Sequence, residues 1–317
     1  MTHSEDSDSP ADATATLSSE QALDTVLAEL RQNDGSAINS VLFYGSCLRS
    51  KNPFDGIVDL YLIVDNYSAF YGNQARAFSN WLLPPNVFYK EFDVGNSTVR
   101  VKYNVLSMHD LHDGLSGRWI HPYLWGRFSQ PVEILWSRDE ELRTSVAADL
   151  QQAASTFLAR VLPRVPASGS VSELWAHGLR LSYSTELRSE GPDRARELVA
   201  HAINHYVSVT EAAAPSLRYA LRISGSGMNA RYSATVARPT RFGARLSWAI
   251  RRLLGKAFSL ARLVKALFTF EGGLDYAAWK LERHTGQVIE ISDRVRRHPV
   301  IFVWPLLWRL YRRGVIR

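Results

Sequence analysis

The chain has one cysteine, Cys47, in 317 residues. A lone thiol excludes an internal disulfide framework and any cysteine-built zinc cluster. It suits a reducing compartment. No apolar run reaches the roughly 18–20 residues that a membrane-spanning helix needs. The first twenty residues, MTHSEDSDSPADATATLSSE, hold neither lysine nor arginine. Without a positive n-region and an apolar h-region they are not a signal peptide, and with no arginine before Arg31 they do not look like a presequence. They read as a disordered acidic leader, 1–20. No internal repeat is visible. Acid is scarce in the last third. From Arg218 onward there are 20 Lys+Arg and 5 Asp+Glu, net +15; the preceding residues hold 17 and 26, net −9, and the two sum to +6. A half so basic must face something anionic, a nucleic acid or a membrane surface.

What is present is an ordinary apolar share of 46%, enough for a large core and two domains. Leu23, Val26, Leu27 and Leu30 make one face of a helix over 21–33. Strands are expected at 40–44, 57–65, 87–92 and 132–136. A helix is expected at 67–82, before the break at Pro84-Pro85. Over 98–106, Val99, Val101, Tyr103 and Val105 alternate with Arg100, Lys102 and Asn104, a strand with one apolar face. Ser107 with Asp110 three residues later looks like a helix cap. This gives an α/β domain over 21–137. From Asp139 the pattern turns helical, with helices at 139–161, 172–190 and 193–213, a helical domain over 138–221. Residues 222–241, with Gly225, Gly227 and Pro239, read as a loop.

The stretch FYGSCLRSKNPFDGIVDLYLIVD, 43–65, carries the chemistry. An apolar run ends in Gly45-Ser46, and Asp59 opens a second β-prone run that closes on Asp65. A small turn lets backbone N–H groups approach a triphosphate closely. A carboxylate on the next strand can hold Mg²⁺ against that phosphate. This is how polymerase-β-like nucleotidyltransferases begin. Asp59, Tyr61, Ile63 and Asp65 share one side of their strand. Tyr61 stands where many such enzymes carry a second carboxylate. Asp65 lies roughly 20 Å further along by strand rise, so Asp59 is the stronger metal candidate and Asp65 the weaker. Lys102, on the polar face of its strand, could hold a phosphate as a point charge.

Other signals are weaker. Cys47 has no partner histidine that can be placed near it. His201 and His205, spaced i,i+4, lack a third zinc ligand. Gly225-Ser-Gly227 is too short for a phosphate loop and reads as a connector.

Residues 242–270 form one long helix. Leu246, Ala249, Ile250, Leu253, Leu254, Ala257, Leu260, Ala261, Val264, Leu267 and Phe268 share a broad face. Arg241, Arg245, Arg252 and Lys256 line one flank, and Arg251, Arg262 and Lys265 the other. An apolar face edged by cations marks an interfacial membrane helix. The tail 299–317 has only nine residues between Pro299 and Arg309, too few to span a bilayer. Its tryptophans and arginines suit the headgroup boundary. The segment 222–317 is thus a basic amphipathic region.

Five segments in order resemble the Tam41 family of phosphatidate cytidylyltransferases, the CDP-diacylglycerol synthases, in its bacterial type. They are YGS at 44–46, VDLYLIVDN at 58–66, VKYNVLS at 101–107, YLWGRFSQPVEIL at 123–135 and LSYSTELR at 181–188. The resemblance covers about 40–212. It places Lys102 on the family lysine, and Arg127, Tyr183, Glu186 and Arg188 on family positions, with Thr185-Glu186 in place of Gly-Asp. It implies a nucleotidyltransferase domain followed by a helical domain that closes over the nucleotide. The implied reaction is CTP plus phosphatidate to CDP-diacylglycerol and pyrophosphate. Mg²⁺ would sit on Asp59 and Asp65. Asp59 and Lys102 would be catalytic, and Gly45, Ser46, Arg127, Tyr183, Glu186 and Arg188 nucleotide-binding. The implied partners are CTP and phosphatidate in an anionic membrane, with no nucleic acid. The implied location is peripheral, on the cytoplasmic face of the cell membrane. A soluble nucleotidyltransferase acting on RNA or a small acceptor, and a catalytically silent scaffold of the same fold, stand as alternatives.

Overall fold

The computed structural model describes residues 18–34, 37–187 and 192–269, with isolated positions as far as 295. The leader up to residue 17, Arg188 and the tail 299–317 lie outside the described residues.

Five strands form the main sheet: β1 (Ile38–Tyr44), β2 (Val58–Val64), β3 (Asn86–Val94), β4 (Ser97–Ser107) and β5 (Glu133–Ser137), in the order β3-β4-β2-β1-β5. β2 and β4 are parallel, and every other neighbouring pair is antiparallel. The fold is mixed α/β. Period-two alternation gives the sheet two buried faces. Leu42, Tyr61, Ile63 and Leu106 enter one core, and Val41, Phe43, Leu60, Leu62, Val99 and Val101 the other.

The second core is covered by α1 (Ser19–Asp34), through Ala22, Val26 and Leu30. α2 (Ser46–Ser50) follows β1 directly. The stretch expected as one helix at 67–82 is two: α3 (Tyr67–Tyr71) and α4 (Gln74–Leu82). Gly72 ends α3 in a left-handed conformation, and the Asn73 side chain accepts from the N–H groups of Ala75 and Arg76 to start α4. Two cap signals side by side outweigh the helical periodicity across them. α5 (Met108–Ser116) starts on the Ser107 cap as expected, its hydroxyl accepting from Asp110 N–H. The short α6 (Trp125–Phe128) follows.

The first core continues into α7 (Glu140–Val161), α8 (Val171–Tyr183), α9 (Pro192–His201) and α10 (Ile203–Ala213). Phe157 stacks on Trp175, which tilts against Tyr206 and donates to Thr210 Oγ1 at 2.8 Å. The single helix expected at 193–213 breaks at Ala202, so His201 and His205 sit on different helices and the i,i+4 zinc spacing does not exist. No cluster of three metal-ligating side chains occurs among the described residues.

The loop expected at 222–241 is also corrected. β7 (Ala220–Ser224) and β8 (Arg231–Thr235) pair antiparallel, and β6 (Ser168–Ser170) joins them in the order β6-β8-β7. Leu221, Tyr232 and Ala234 turn inward and Arg222 and Arg231 outward. The boundary placed at 221/222 therefore falls inside β7. Gly225 and Gly227, both at positive φ, lie in the connection.

The chain then enters α11 (Arg238–Thr269). Its amphipathicity is inverted. Trp248 and Arg251 are buried, while Phe242 and Leu253 are each 73% exposed and Leu246, Leu260 and Leu263 are exposed with them. Trp248 Nε1 donates to Arg160 O at 3.0 Å, Arg262 Nε to Pro84 O at 3.0 Å and Lys265 Nζ to Pro85 O at 2.9 Å. The flank carrying Arg251, Arg262 and Lys265 thus docks on the body, and the aliphatic face is left outward. No helix among the described residues is long and apolar enough to cross a membrane.

Candidate active site

Three neighbouring strands bring the site together by register. Tyr44 on β1 lies opposite Asp59 on β2, and Asp59 lies opposite Lys102 on β4. The Lys102 ammonium is ion-paired with Asp59 Oδ1. Burial works against that charge, but Tyr44 and Asp59 outweigh it and raise the Lys102 pKa. Lys102 therefore remains a cation. Asn104, two residues on and on the same face, donates to Tyr44 Oη at 3.2 Å and to Leu60 O at 3.1 Å. It braces the tyrosine beside the pair.

Gly45 is what lets these groups meet. It caps α2 at φ 94° and ψ −159°, a conformation open almost only to glycine. A Cβ built there would lie 2.6 Å from Asp59 Oδ2. The carboxylate sits against the bare Cα. The backbone of the Gly45-Ser46 turn, with no side chain capping α2, is open to an anion at this point.

Beside it lies a cleft of about 220 Å³, bounded by Tyr44, Gly45, Arg49, Arg127, Glu186 and Arg194, with Tyr183 and Gln130 at its wall. Arg127 Nη1 donates to Tyr44 Oη at 3.4 Å, and its Nη2 lies 3.7 Å from Glu186 Oε1. Its guanidinium stands over the Tyr123 ring at 4.8 Å. Burial opposes the Arg127 charge, but Tyr61, Tyr123, Tyr44 and Glu186 raise its pKa. Burial, and then Arg194, pull Arg49 downward. Tyr183, the last residue of α8, donates to Gln130 Oε1 at 3.1 Å. Three guanidiniums around one small cleft match a polyphosphate.

Of the residues singled out in the sequence, Gly45, Arg127, Tyr183 and Glu186 line this cleft, and the Asp59–Lys102 pair adjoins it through Gly45. Asp65 does not. It sits past the other end of β2, where its Oδ1 accepts from Asn39 at 2.8 Å and its Oδ2 pairs with Arg138 at 3.2 Å. The extended strand between keeps it from sharing an ion with Asp59. Tyr61, at the position of the missing second carboxylate, is a core residue, edge-on to Phe128 at 4.9 Å. Cys47 is buried and donates to Ile57 O at 3.1 Å. Burial, then Asp59, push its pKa up to about 11, the opposite of a nucleophile. Tyr44, Arg49, Asn104, Tyr123, Gln130 and Arg194 were not picked out in the sequence. Tyr44, Tyr123 and Gln130 lie within the family-like segments and Asn104 on the polar face of its strand, and Arg49 follows Ser46 by three residues on the same helical turn.

The donor set fits a Mg²⁺ carried in by a triphosphate, for which Asp59 would be the protein carboxylate. Such ions use one or two carboxylates and substrate phosphates rather than an all-protein cage.

A family model described as phosphatidate cytidylyltransferase, mitochondrial (Tam41/Mmp37), matches residues 61–233. The match takes in Lys102, Arg127, Tyr183 and Glu186 and begins two residues after Asp59. No curated protein matches the chain. Among solved structures, the crystal structure of a nucleotidyltransferase-like protein from Exiguobacterium sibiricum 255-15 aligns over 94% of this chain and 92% of that one, at 14% identity and a TM-score of 0.27. A score that low carries no weight for the fold or the chemistry.

Proposed function

The chain belongs to the Tam41/Mmp37 family, and from that premise we propose that it is a Mg²⁺-dependent phosphatidate cytidylyltransferase working at a membrane surface. The observation that carries the reading is Asp59, held against Lys102 and against Gly45, which itself lines an arginine-rich cleft. A phosphate oxygen of phosphatidate attacks the α-phosphorus of CTP. A new P–O–P bond forms, the bond to the β-phosphate breaks, and pyrophosphate leaves. When bound, Mg²⁺ neutralises the phosphate charge. Gly45 allows close approach, Arg49, Arg127 and Arg194 offset the charge of the nucleotide, and Lys102 supplies a point charge beside Asp59.

The lack of a second carboxylate beside Asp59 on β2 favours a phosphate acceptor over a hydroxyl. A hydroxyl must lose its proton to a general base during attack. A phosphate monoester, with a second pKa of about 6, arrives already ionised at pH 7. Tyr61 in place of a second carboxylate costs such a reaction nothing in proton transfer. An RNA-directed enzyme would need such a base, and the carboxylate that lines the cleft, Glu186, faces Arg127 instead, 3.7 Å from its Nη2.

The lipid cannot leave the bilayer cheaply, at about 0.8 kcal/mol per exposed CH₂. The outward aliphatic face of α11 supports the protein's coming to the lipid instead, lying on an anionic surface with Arg245, Arg252 and Lys256 at its edge. We place it peripherally on the cytoplasmic face of the cell membrane.

The test is pyrophosphate release from each of the four NTPs with Mg²⁺, with and without phosphatidate vesicles, for the wild type and Asp59→Ala. Release from CTP only with phosphatidate, abolished in a folded D59A, is the expected result. Equal activity in D59A would overturn the metal assignment. Nucleotide binding without release under any condition would favour the silent scaffold.

A further inference from the structure

A cavity of about 710 Å³ lies between α7, the turn at 214–216 and the first half of α11, and shares no residue with the nucleotide cleft. Three arginines line it: Arg160 from α7, Arg218 after the turn and Arg251 from α11. Ser155, Thr156 and Ser247 also line it, and no Asp or Glu does among the described residues. Arg251 is 7% exposed. It donates through Nη1 to Ser247 Oγ, but its Nε is buried with no partner. Arg160 donates through Nη2 to Gly117 O at 2.7 Å, and its Nε is likewise buried with no partner.

Buried guanidiniums are ordinarily matched by carboxylates or carbonyls, because an unmatched charge in a low-dielectric site is costly. Here no carboxylate matches them, Arg160 has one carbonyl and Arg251 one hydroxyl, both Nε groups are left over, and the cations repel. Burial, and then Arg160, pull the Arg251 pKa down to about 10, while burial, and then Arg218, pull Arg160 down. Spare N–H donors, like charge and hydroxyls around one cavity ask for an anion with several acceptor oxygens. Guanidinium forks match phosphate oxygens in geometry as well as charge.

We propose that this cavity is a second anion site, taking a phosphate group between Arg160, Arg218 and Arg251. Its source is either free phosphate or the headgroup of an anionic phospholipid reached from the membrane-facing helix. Because Arg160 lies on α7 and Arg251 on α11, an occupant clamps α11 to the body.

The test is thermal unfolding of the full chain in inorganic phosphate against chloride at matched ionic strength, for wild type, Arg251→Gln, Arg218→Gln and Lys102→Ala. Ligand bound to the native state alone raises Tm with concentration. Phosphate should raise Tm in the wild type and equally in K102A, and loss of the shift in R251Q, which leaves the arginines of the nucleotide cleft in place, separates the two sites. R251Q should lose the shift, yet unfold no earlier than wild type in chloride, since removing one cation relieves repulsion. R218Q, altered at an exposed rim position, should need about tenfold more phosphate, and it carries the test if R251Q does not fold. A second arm measures cosedimentation with phosphatidylcholine vesicles with and without phosphatidylglycerol, with Arg245→Gln as the control for general charge loss. A headgroup occupant weakens R218Q more than R245Q on phosphatidylglycerol, and phosphate competes. A free-phosphate occupant weakens both variants equally on vesicles, with no competition by phosphate there, and shows itself only as the thermal shift. A phosphate shift surviving in both R251Q and R218Q, or no response in either arm, overturns the proposal.

Discussion

Replacing Gly45 by alanine tests the geometry of the site with one methyl group. Two effects follow from the structure. First, φ 94° with ψ −159° is a region that costs a non-glycine residue about 1–3 kcal/mol. At about 2–4 °C of Tm per kcal/mol for a domain of this size class, that is a fall of about 2–12 °C. Second, the new Cβ would stand 2.6 Å from Asp59 Oδ2, so the carboxylate or the turn must move by a sizeable fraction of an ångström. A misplacement of about 1 Å at a reacting centre costs about a hundredfold in rate. We therefore expect Gly45→Ala to lower turnover by about ten- to a hundredfold. Gly72→Ala is the matched control. It too has positive φ, 56°, but nothing lies within 4 Å of its added Cβ. It should cost about 1 kcal/mol of stability and leave turnover alone. The assay is pyrophosphate release from CTP with phosphatidate vesicles, read beside thermal unfolding. Wild-type turnover in G45A, or an equal loss in G72A, would refute the argument that the bare Cα of Gly45 positions Asp59.

Leu253→Asp, at an outward position 73% exposed, should weaken vesicle binding at least about tenfold by removing one inserted side chain while leaving Tm unchanged; equal sedimentation would mean α11 does not meet the bilayer. Cys47, with its thiol near 11, should be thiolate in about one molecule in a thousand at pH 8, so maleimide should label it only when urea unfolds the chain. His121 is held neutral down to about 3 by burial and then by Arg262. Its folded pKa is depressed, so the unfolded chain takes up a proton between about 6.5 and 3 that the native state refuses. Stability is lost as pH falls through that window, by about 2 kcal/mol at pH 5, and His121→Phe should flatten the Tm profile there; an unchanged profile would place the acid sensitivity elsewhere.

Much of the catalytic face was legible because its signals are local. Alternation from Val99 to Val105 gives β4 and the side on which Lys102 lies. The Gly-Ser turn and Asp59 lie on a hairpin, so their spacing along the chain is nearly their spacing in space. The misses are through-space. Arg194 and Gln130 reach the cleft from distant segments, and no periodicity reports that. Asp65 was two-edged in the sequence because period two places it on the right side of the strand, while strand length puts it at the wrong end. The hairpin of β7 and β8 was hidden by Gly225 and Gly227, which read as loop punctuation and are in fact at its turn. In α11, the period of the helix separates two faces but does not say which one docks. Trp248 and the carbonyls after α4 decide that.

The parallel pairing of β2 with β4 bears on the order in which the chain assembles. Asp59 and Lys102 are register partners separated by 102 − 59 = 43 positions. The hairpin of β3 and β4 joins neighbours in sequence, and so does that of β1 and β2. Local pairs close early, while a pairing across a long crossover waits for the chain entropy of that loop to be met. Lys102 thus matures in one hairpin and Asp59 in another, and the two charges meet only when the hairpins dock. Pulse-labelled hydrogen exchange should find the amides of β3 and β4 protected before those that bridge β2 to β4; simultaneous protection would contradict this order. On this ordering, competence for chemistry is a late event in folding, set by the one parallel seam in the sheet.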